Sequence, residues 1–330
     1  MTSLVTGATG FVGSAVARAL AARGHTLRLL ARPSSDRRNL AGLDAEVVTG
    51  DLTDPDSLAR AAAGCRYVVH VAADYRIWVP DPQAMLRANV DGAVAMVRAA
   101  TRAGAERIVH CSSVAALGQV GDGTPADENT PTNEADFVGI YKRSKFLAER
   151  AVLDLVRTDN APVVVVNPAG PVGPRDIKPT PTGKMILDAA AGRMPAYIDT
   201  GLNIVHVDDV GEGHALALEK GRIGERYVLG GDNMLLRDIL RMVAQVAHSR
   251  PPFIRLPEAV VWPAAYVLEK LAPYTGIPPM VTTDHLKMAR KKMFYSSAKA
   301  TAELGYQPRP ARQAIEDAVA WFRANGKLKP

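Results

Sequence analysis

The stretch that decides the fold is Thr6-Gly7-Ala8-Thr9-Gly10-Phe11-Val12-Gly13, which joins the apolar run Ser3-Leu4-Val5 to a segment of helical character from Phe11 to Ala22. A glycine-rich turn between a strand and a helix lets the backbone approach a pyrophosphate, whose charge is stabilised at the helix N-terminus. The spacing G-x-x-G-x-x-G therefore predicts a dinucleotide cradle. The alternative is a tight turn with close helix packing and no ligand. The residues assigned to the cradle are Thr6, Gly7, Thr9, Gly10, Phe11, Val12 and Gly13.

The end of the next predicted strand, Thr26 to Ala31, indicates which dinucleotide binds. Sites for NAD usually place an acid there to accept from the ribose 2'-hydroxyl, whereas the 2'-phosphate of NADP needs cations. This chain has Arg32, then Arg37 and Arg38, and a guanidinium can engage two phosphate oxygens at once. We therefore predict NADP(H), with Arg32 as the first contact and Arg37 or Arg38 as reinforcement. Because Asp36 lies among them, a solvated basic loop is the alternative.

Strand-like and helix-like runs alternate through the first half of the chain. The strand-like runs are 46–49, 67–71, 107–112 and 162–167, and the helix-like runs are 55–63, 83–103 and 136–157. Such alternation predicts right-handed βαβ units and an α/β fold with a doubly wound parallel sheet. Ligands of such sheets bind beyond the carboxyl ends of the strands. Those ends carry Gly7, Arg32, Asp51, Ala72, Ala73, Ser113 and Pro168.

The pattern changes after Pro168, where Pro and Gly are dense up to Pro181 and short mixed elements follow. A chain of 330 residues is about right for a nucleotide-binding domain with a smaller cap. We predict a nucleotide-binding domain over residues 1–168, joined by a returning segment at about 203–222. Residues 169–330 are then mainly a smaller α/β substrate-binding cap.

The candidate catalytic pair lies in Tyr141-Lys142-Arg143-Ser144-Lys145. Tyr141 and Lys145 are four residues apart on a predicted helix, so their side chains share one face. We expect the ammonium to lower the pKa of the phenol, which makes Tyr141 a general acid or base. Ser113 is placed to hydrogen-bond the substrate oxygen. The alternatives are a solvated helix face for the pair and a turn-capping hydroxyl for Ser113.

Composition narrows the classes of function. The chain has 40 Lys and Arg against 34 Asp and Glu, a net charge of +6, and no arginine-rich arm that would indicate nucleic-acid binding. Cys65 and Cys111 are the only cysteines and have neither metal-ligand spacing nor a disulfide framework. We therefore expect reduced thiols, no metal and a cytoplasmic location. We also expect no signal peptide, because the first predicted strand begins at about Ser3, and no spanning helix, because no run reaches roughly 18 apolar residues.

Motifs along nearly the whole chain resemble those of the extended short-chain dehydrogenase/reductases, the NAD-dependent epimerase/dehydratase family. They are TGATGFVG, GDLTD (50–54), HVAA (70–73), NVDG (89–92), CSSVAALG (111–118), YKRSK (141–145), NPAGPVGP (167–174) and HVDDV (206–210). Within that family the chain is similar to dihydroflavonol 4-reductase-like proteins and, through GPRDIKPTPTGK and MARKKMFYSSAKA, to bacterial hopanoid-associated sugar epimerases. The resemblance implies a Rossmann fold, a nicotinamide cofactor and a homodimer formed through the helix of Tyr141.

The resemblance also implies cofactor contacts. These are Asp51 and Leu52 at the adenine, Ala72 and Ala73 along the cofactor channel, and Pro168 and Gly170 under the nicotinamide, with Lys145 at its ribose. Asn89 supports a water relay toward Lys145 or, equally, ties a helix to a strand. Thr182 reaches the cofactor phosphate or ribose, or simply caps a helix.

Substrate contacts are predicted beyond the cofactor-lining strand ends. Tyr75 and Trp78 offer aromatic surface there, although packing between domains is an equally common use for Trp78. The loop 118–137 precedes the predicted catalytic helix, where such enzymes choose substrates. Arg175 is placed to pair with an anionic or hydroxylated substrate, and bracing of Asp176 is its alternative.

Two further patterns have ordinary explanations beside the functional ones. His206 with Asp208 and Asp209 suggests metal ligands, but the family that the chain resembles uses HVDDV as a turn between domains. The stretch 256–271 is apolar with few charges. It is either a helix packed on the cap or a surface that lies on a membrane or admits a lipid tail.

Three hypotheses of function follow. The first is an NADP(H)-dependent carbonyl reductase, in which Tyr141 donates the proton, Lys145 tunes it and Ser113 orients the oxygen. Its expected context is the sugar or polyol side chain of a hopanoid lipid, so the substrate is a small molecule or lipid-linked, and contact with the inner membrane is an open alternative. The second is an NAD(P)-dependent sugar epimerase with transient oxidation. The third is a non-catalytic NADP-binding sensor.

Overall fold

A computed structural model of the chain describes residues 1–76, 79, 81–132, 137, 139–275, 283, 286–287 and 291–328. The main sheet consists of β1 (Thr2–Thr6), β2 (Thr26–Ala31), β3 (Ala45–Thr49), β4 (Tyr67–His70), β5 (Arg107–Cys111), β6 (Val163–Pro168) and β10 (Arg226–Leu229). Their spatial order is β10-β6-β5-β4-β1-β2-β3, and every neighbouring pair is parallel. The predicted doubly wound parallel sheet is confirmed, and the order reverses between β1 and β4.

Helices cover both faces of this sheet. On one face lie α1 (Phe11–Ala22), α7 (Val207–Lys220) and α10 (Ala298–Leu304). On the other lie α2 (Pro55–Ala62), α4 (Gly92–Arg102) and α5 (Ile140–Thr158). The four valines 163–166 of β6 are all fully buried, as expected for a strand covered on both faces.

The predicted helix over 83–103 is interrupted in the structure. α3 (Pro82–Leu86) leads into a π-helical turn, Arg87–Asp91, before α4 begins. Such turns insert a residue into the helical ladder and often occur at functional sites. Here the turn carries the buried side chain of Asn89. Sequence periodicity predicts one continuous helix because the apolar pattern resumes after the insertion.

A second core lies in the other half of the chain. It is built around a three-stranded sheet of β7 (Gly170–Val172), β9 (Gly201–His206) and β11 (Asp232–Leu235), and a two-stranded one of β8 (Ala196–Tyr197) and β12 (Ile254–Arg255). Its apolar core joins α6 (Pro181–Ala190), α8 (Leu236–Ala247) and α11 (Ala311–Ala324). α9 (Glu258–Thr275) follows β12. Of the returning segment predicted at about 203–222, α7 does pack on the large sheet and leads to β10, whereas β9 belongs to the small sheet. The domain limits at 168 and 169 stay a prediction.

Three buried histidines make the fold sensitive to acid. Burial lowers the pKa of His70 to about 3, that of His214 to about 4, and that of His110 well below its ordinary value. Between the ordinary histidine pKa of about 6.5 and these lower values, the unfolded chain binds more protons than the folded one. The stability of the fold is therefore lost as the pH falls, at about 1.4 kcal/mol per pH unit for each histidine.

We expect the free energy of unfolding in urea to decline steeply from about pH 6.5 to 5, and His214→Gln to make that decline shallower. His248→Asn is the matched control, since His248 is an exposed helix C-cap with a φ of 55°, which Asn tolerates. A His214→Gln variant with the same pH slope as the control would contradict this account.

Candidate active site

The glycine-rich turn closes tightly between β1, α1 and the end of β4. Gly7 has a φ of +75°, and a Cβ there would lie 2.7 Å from the backbone nitrogen of Ala72. A Cβ on Gly13 would lie 2.1 Å from the carbonyl oxygen of Gly7. Neither position accommodates a side chain, so the backbone itself forms the floor of the crevice.

The N-terminus of α1 fits a phosphate-bearing ligand. Gly10 is its N-cap and is exposed, no side chain caps the helix, and its first turn holds no acidic residue. Backbone amides and the helix dipole at such a terminus favour an anion. Phe11 is buried, whereas Thr9 and Val12 are partly exposed at the same turn. The residues therefore fit a dinucleotide pyrophosphate.

Thr6 has a structural part in this arrangement. Its hydroxyl accepts from the amides of Val71 and Ala72, at 3.1 Å each, and lies 2.8 Å from Nδ1 of His70. The side chain is fully buried and joins the end of β1 to that of β4. The predicted contact of Thr6 with the cofactor stays a prediction. Because the side chain is already hydrogen-bonded within the protein, the backbone of Thr6 would have to make that contact.

The basic loop after β2 presents two free arginines. Arg32 and Arg37 are exposed, and neither makes an ion pair with any residue that the structure describes. Arg38 is instead held by Asp36 at 2.6 Å. Asp51, whose pKa is lowered chiefly by hydrogen bonds from Thr53, also feels the charge of Arg32. Of the two arginines predicted to reinforce Arg32, Arg37 is therefore the one without an ion-pair partner among the described residues.

Ser113, Tyr141 and Lys145 lie together at the carboxyl end of β5. Tyr141 is in the first turn of α5, and its hydroxyl hydrogen-bonds with the side chain of Ser113. The Ser113 hydroxyl also accepts from the amide of Ala115 at 3.1 Å. Lys145 donates to the carbonyl oxygen of Cys111 at 3.1 Å and is buried. A serine, a phenol and an ammonium thus share one site.

The protonation of Tyr141 differs from the expectation. Burial raises the pKa of Tyr141 to about 12, and the hydrogen bond with Ser113 lowers it only in part. Burial also lowers the pKa of Lys145, while Cys111 and Glu149 oppose that shift. Desolvation of the phenol outweighs the effect expected of Lys145, whose ammonium is directed at the Cys111 carbonyl. Tyr141 is therefore protonated at neutral pH and suited to donate a proton.

The contacts of Asn89 are those expected if the residue ties a helix to the end of a strand. Its Oδ1 accepts from the amide of Asp74 at 2.7 Å, and its Nδ2 donates to the carbonyl of Asp74 at 2.8 Å and to Oγ of Ser144 at 2.9 Å. Ser144 in turn donates to the carbonyl of Tyr141. Asn89 thereby fixes α5 against the chain that follows β4, and its water relay stays a prediction.

Other predicted cofactor positions line the same edge of the sheet. Leu52, Ala72 and Ala73 are partly exposed there, and Pro168 ends β6. Gly170 lies against β9, since a Cβ on it would lie 2.7 Å from the carbonyl oxygen of Asn203. The cap of α6 is Thr180 rather than Thr182, because the Thr180 hydroxyl accepts from the amide of Gly183.

The predicted substrate residues separate in the structure. Tyr75 is 45 % exposed, and its pKa is raised by partial burial and then by the charge of Asp176. Arg175 pairs with Asp208 at the N-terminus of α7, so the predicted alternative, an ion pair with Asp176, is wrong. The backbone of Arg175 has a φ of 74°. Trp78 lies outside the described residues, as does the part of the loop 118–137 formed by residues 133–136.

Sequence reasoning missed two polar residues at the crevice. Asn39 donates through Nδ2 to the carbonyls of Thr9, at 3.3 Å, and Arg175, at 3.2 Å, so it links the cradle to the chain after β7. Asp176 is buried, and burial raises its pKa to about 6, although it accepts from the amide and hydroxyl of Thr180. Neither residue carries a local pattern that would have marked it.

The sequence reasoning also passed over Lys142, inside YKRSK. Burial lowers the pKa of Lys142 to about 8, and the charge of Lys291 acts in the same direction. Its place beside Tyr141 in the quoted motif was the available signal.

The HVDDV residues have structural partners. His206 caps α7 and lies 3.0 Å from Asp317, and Asp209 pairs with Arg309. Among the described residues, no group of three or more His, Cys, Asp or Glu side chains is suited to hold a metal ion. Cys65 and Cys111 are buried and free.

Comparison with known proteins places the chain among nucleotide-dependent enzymes. Residues 3–230 match the NAD dependent epimerase/dehydratase family. A putative dihydroflavonol 4-reductase of Synechocystis is 41 % identical over 98 % of this chain and 95 % of its own length. Sterol demethylase protein B of Methylococcus capsulatus is 34 % identical over 99 % of this chain and 100 % of its own.

One further relative and one solved structure complete the comparison. A 4-hydroxy-2-methyl-3-oxo-4-farnesyl-3,4-dihydroquinoline-1-oxide ketoreductase of Stigmatella aurantiaca is 31 % identical over 97 % of this chain and 96 % of its own length. The crystal structure of gox2253 is 61 % identical and covers 99 % of both chains with a TM-score of 0.91.

Proposed function

The chain belongs to the NAD-dependent epimerase/dehydratase family, and on that premise we propose that it is an NADP(H)-dependent oxidoreductase that reduces the carbonyl of an aldehyde or ketone. The observation that carries this proposal is that Ser113, Tyr141 and Lys145 lie together at the carboxyl end of β5. A phenol whose pKa lies at about 12 and that hydrogen-bonds with Ser113 is a proton donor at neutral pH. Net reduction needs such a donor at the substrate oxygen.

Each residue of the site has a defined part in this reaction. A bound nicotinamide dinucleotide supplies the hydride. Ser113 hydrogen-bonds the carbonyl oxygen and stabilises the charge that develops on it. Tyr141 donates its hydroxyl proton to that oxygen, which gives the alcohol, and the positive charge of Lys145 stabilises the phenolate that remains.

NADP(H) is proposed over NAD(H) on the charges at the end of β2. The strand ends at Ala31 without an acid to accept from a ribose 2'-hydroxyl, and the exposed Arg32 and Arg37 follow. A 2'-phosphate would provide these two guanidinium groups with the anion that no described residue supplies. Contacts of the remaining predicted cofactor residues are part of the same proposal.

The substrate class proposed is an apolar or lipid-linked carbonyl compound. Two relatives at 34 % and 31 % identity are named for a sterol demethylation and for a farnesylated quinoline. The resemblance to hopanoid-associated proteins adds the sugar or polyol side chain of a polycyclic lipid as the expected context. Tyr75, Trp78 and the loop 118–137 are the proposed substrate contacts, and Arg175 is less suited because it is paired with Asp208.

A sugar epimerase is the second candidate. A solved structure described as a nucleoside-diphosphate-sugar epimerase from Pseudomonas aeruginosa is 28 % identical, covers 100 % of this chain and has a TM-score of 0.82. Transient oxidation would use the same three residues, but it would start with Tyr141 as a base rather than as an acid. A non-catalytic sensor would leave the serine, tyrosine and lysine without a role.

We further propose that the protein is cytoplasmic and contacts the inner membrane through α9. Its exposed apolar side chains, here called the α9 surface, are Val260, Trp262, Tyr266, Val267, Leu268 and Leu271. Trp262 and Tyr266 stack at 5.6 Å, and Lys270 lies over the Tyr266 ring. Aromatic, aliphatic and basic groups in this combination suit an anionic bilayer surface. No helix among the described residues has the length and apolarity to cross a bilayer.

A homodimer through α5 and the adjacent α4 is the assembly we propose. Val94, Ala95 and Ala99 of α4 and Leu153 and Val156 of α5 are only partly buried, so this pair of helices retains apolar surface. The mass in solution, measured by light scattering, tests this against the 35.2 kDa of one chain.

A panel of aldehydes and ketones, including aldehyde forms of lipid-linked sugars, tests the function. We expect NADPH oxidation with at least one, and a loss of kcat of roughly 10²- to 10⁴-fold in Tyr141→Phe, because the proton donor is removed. Tyr67→Phe is the matched control and should keep full activity, because Tyr67 lies at the end of β4 that is remote from the candidate active site. Inversion of a sugar centre without net use of cofactor would instead establish the epimerase.

Fluorescence titration with NADPH and NADH tests the choice of cofactor. We expect Arg32→Ala to weaken NADPH binding by roughly 10- to 100-fold and to leave NADH binding unchanged, since a charged hydrogen bond to the 2'-phosphate is lost. Arg38→Ala should change little, because Arg38 is held by Asp36. Equal affinity of the native protein for both dinucleotides would overturn the proposal.

Flotation with vesicles that contain phosphatidylglycerol tests the α9 surface. We expect the native protein to float and the double variant Val267→Glu, Leu268→Glu to remain in solution. Ala59→Glu with Ala63→Glu adds the same charge to exposed positions at the end of α2 and should float like the native protein. If native protein and α9 variant behave alike, the membrane contact is refuted.

A further inference from the structure

A cluster of lysines lies beside the candidate proton donor. Lys142 follows Tyr141 in the first turn of α5, and both residues are partly buried. Burial lowers the pKa of Lys142 to about 8, and the charge of Lys291 acts in the same direction. Two ammonium groups are therefore close enough to repel each other, and one of them is mostly removed from water.

Backbone hydrogen bonds fix the segment 291–296 against the loop that precedes α5. The amide of Ala126 donates to the carbonyl of Phe294 at 2.9 Å, and the amide of Ser296 donates to the carbonyl of Ala126 at 2.8 Å. On its other side the segment bonds the first residue of β9. The backbone therefore determines where the lysines at the start of this segment lie.

Two glycines of the same loop leave room for two of the lysines. A Cβ on Gly121 would lie 3.9 Å from the side chain of Lys291, and a Cβ on Gly123 would lie 3.5 Å from Nζ of Lys292. Both glycines have a positive φ, +91° and +98°, which side chains other than glycine rarely adopt. Lys142, Lys291 and Lys292, between this loop and the start of α5, are here called the basic site.

The acids of the loop have other partners. Asp122 accepts from the amide of Thr124 at 2.7 Å, and its pKa is lowered chiefly by hydrogen bonds from Thr124. Glu128 accepts from a backbone amide of β10 at 2.6 Å. In the part of the chain that the structure describes, no carboxylate forms an ion pair with Lys142 or Lys292. A partly buried cation without a counter-ion is unfavourable, and a bound anion would relieve that cost.

We propose that the basic site binds an anionic group of the substrate, a phosphate or a carboxylate, while Tyr141 donates its proton to the substrate carbonyl. The inference deepens the proposed reduction and rests on it. Lys142 and the proton donor are consecutive residues of one helix, so an anion held by Lys142 fixes the position of the carbonyl. Arg175, the cation predicted for this part, is already paired with Asp208.

The position of the basic site favours a substrate over an anionic bilayer. Lys142 is partly buried and adjoins Tyr141, whereas a bilayer contacts exposed surface. Lys142→Gln should therefore behave like the native protein in flotation with phosphatidylglycerol vesicles. If this variant alone fails to float, the lysines serve the bilayer and the proposal is overturned.

Calorimetric titration with methyl phosphate and with acetate tests the site without turnover. The dinucleotide that the protein binds is present at saturation, so that the glycine turn is occupied. We expect the native protein to bind at least one anion, and the one bound more tightly identifies the class. Lys142→Gln should weaken that binding about tenfold or more, because a charged hydrogen bond is lost, and Lys142→Arg should retain it. If the native protein binds neither anion, the proposal is overturned, whether or not the protein is a reductase.

Lys220→Gln is the matched control for this titration. Lys220 is exposed at the end of α7, which lies beside Arg107 at the opposite end of β5 from Ser113. The control should bind the anion like the native protein, and equal weakening in Lys220→Gln and Lys142→Gln would contradict the proposal. Lys292→Gln, at an exposed position, replaces Lys142→Gln if that variant does not fold.

Carbonyl compounds that differ by an anionic group extend the test to turnover. We expect a lower KM for glyceraldehyde 3-phosphate than for glyceraldehyde, or for succinic semialdehyde than for butanal. Lys142→Gln should raise the KM of the preferred anionic compound about 10- to 100-fold with little change in kcat, because binding is lost equally from the ground state and the transition state. Lys142→Arg should restore most of the loss. A Lys142→Gln variant that impairs the anionic and the neutral compound equally would indicate a structural role and overturn the proposal.

Discussion

The backbone contact between Gly7 and Gly13 is the constraint on which the other features of the site depend. It lets α1 begin immediately beyond β1, so that its uncapped N-terminus faces the crevice where the strand order reverses. The same closeness continues behind the turn, because a Cβ on Gly211 of α7 would lie 2.6 Å from the carbonyl of Ala15 in α1. A methyl group at any of these positions would push strand, helix and second helix apart together.

Burial, rather than a single neighbouring charge, sets the chemistry of the candidate site. Burial raises the pKa of the Tyr141 phenol, while its partner Lys145 is held against the Cys111 carbonyl. Asn89 and Ser144 fix the start of α5 through backbone atoms of Asp74 and Tyr141. The position of Tyr141, and with it the burial that sets its pKa, thus depends on how the start of α5 is held in place. Preorganised catalysis requires such a fixed arrangement.

The sequence predicts those features that local patterns determine. The parallel sheet, the glycine turn and the placement of Ser113, Tyr141 and Lys145 follow from strand-like runs, helical spacing and family motifs. The π-helical turn at Asn89, the cap at Thr180 and the pairing of Arg175 with Asp208 do not. Each of these depends on a partner distant in sequence or on the exact residue at which a helix begins or changes its winding, and none of them leaves a periodic pattern in the sequence. The pKa of Tyr141 belongs to the same class, since burial depends on the whole fold.

The amide of Asn39 has a consequence for movement at the site. One Nδ2 group bonds both the carbonyl of Thr9 in the glycine turn and that of Arg175 in the chain leading into the second core. A displacement of the glycine turn would therefore also displace the chain at Arg175. The glycine turn and the chain that enters the second core are thus tied to each other through a single side chain.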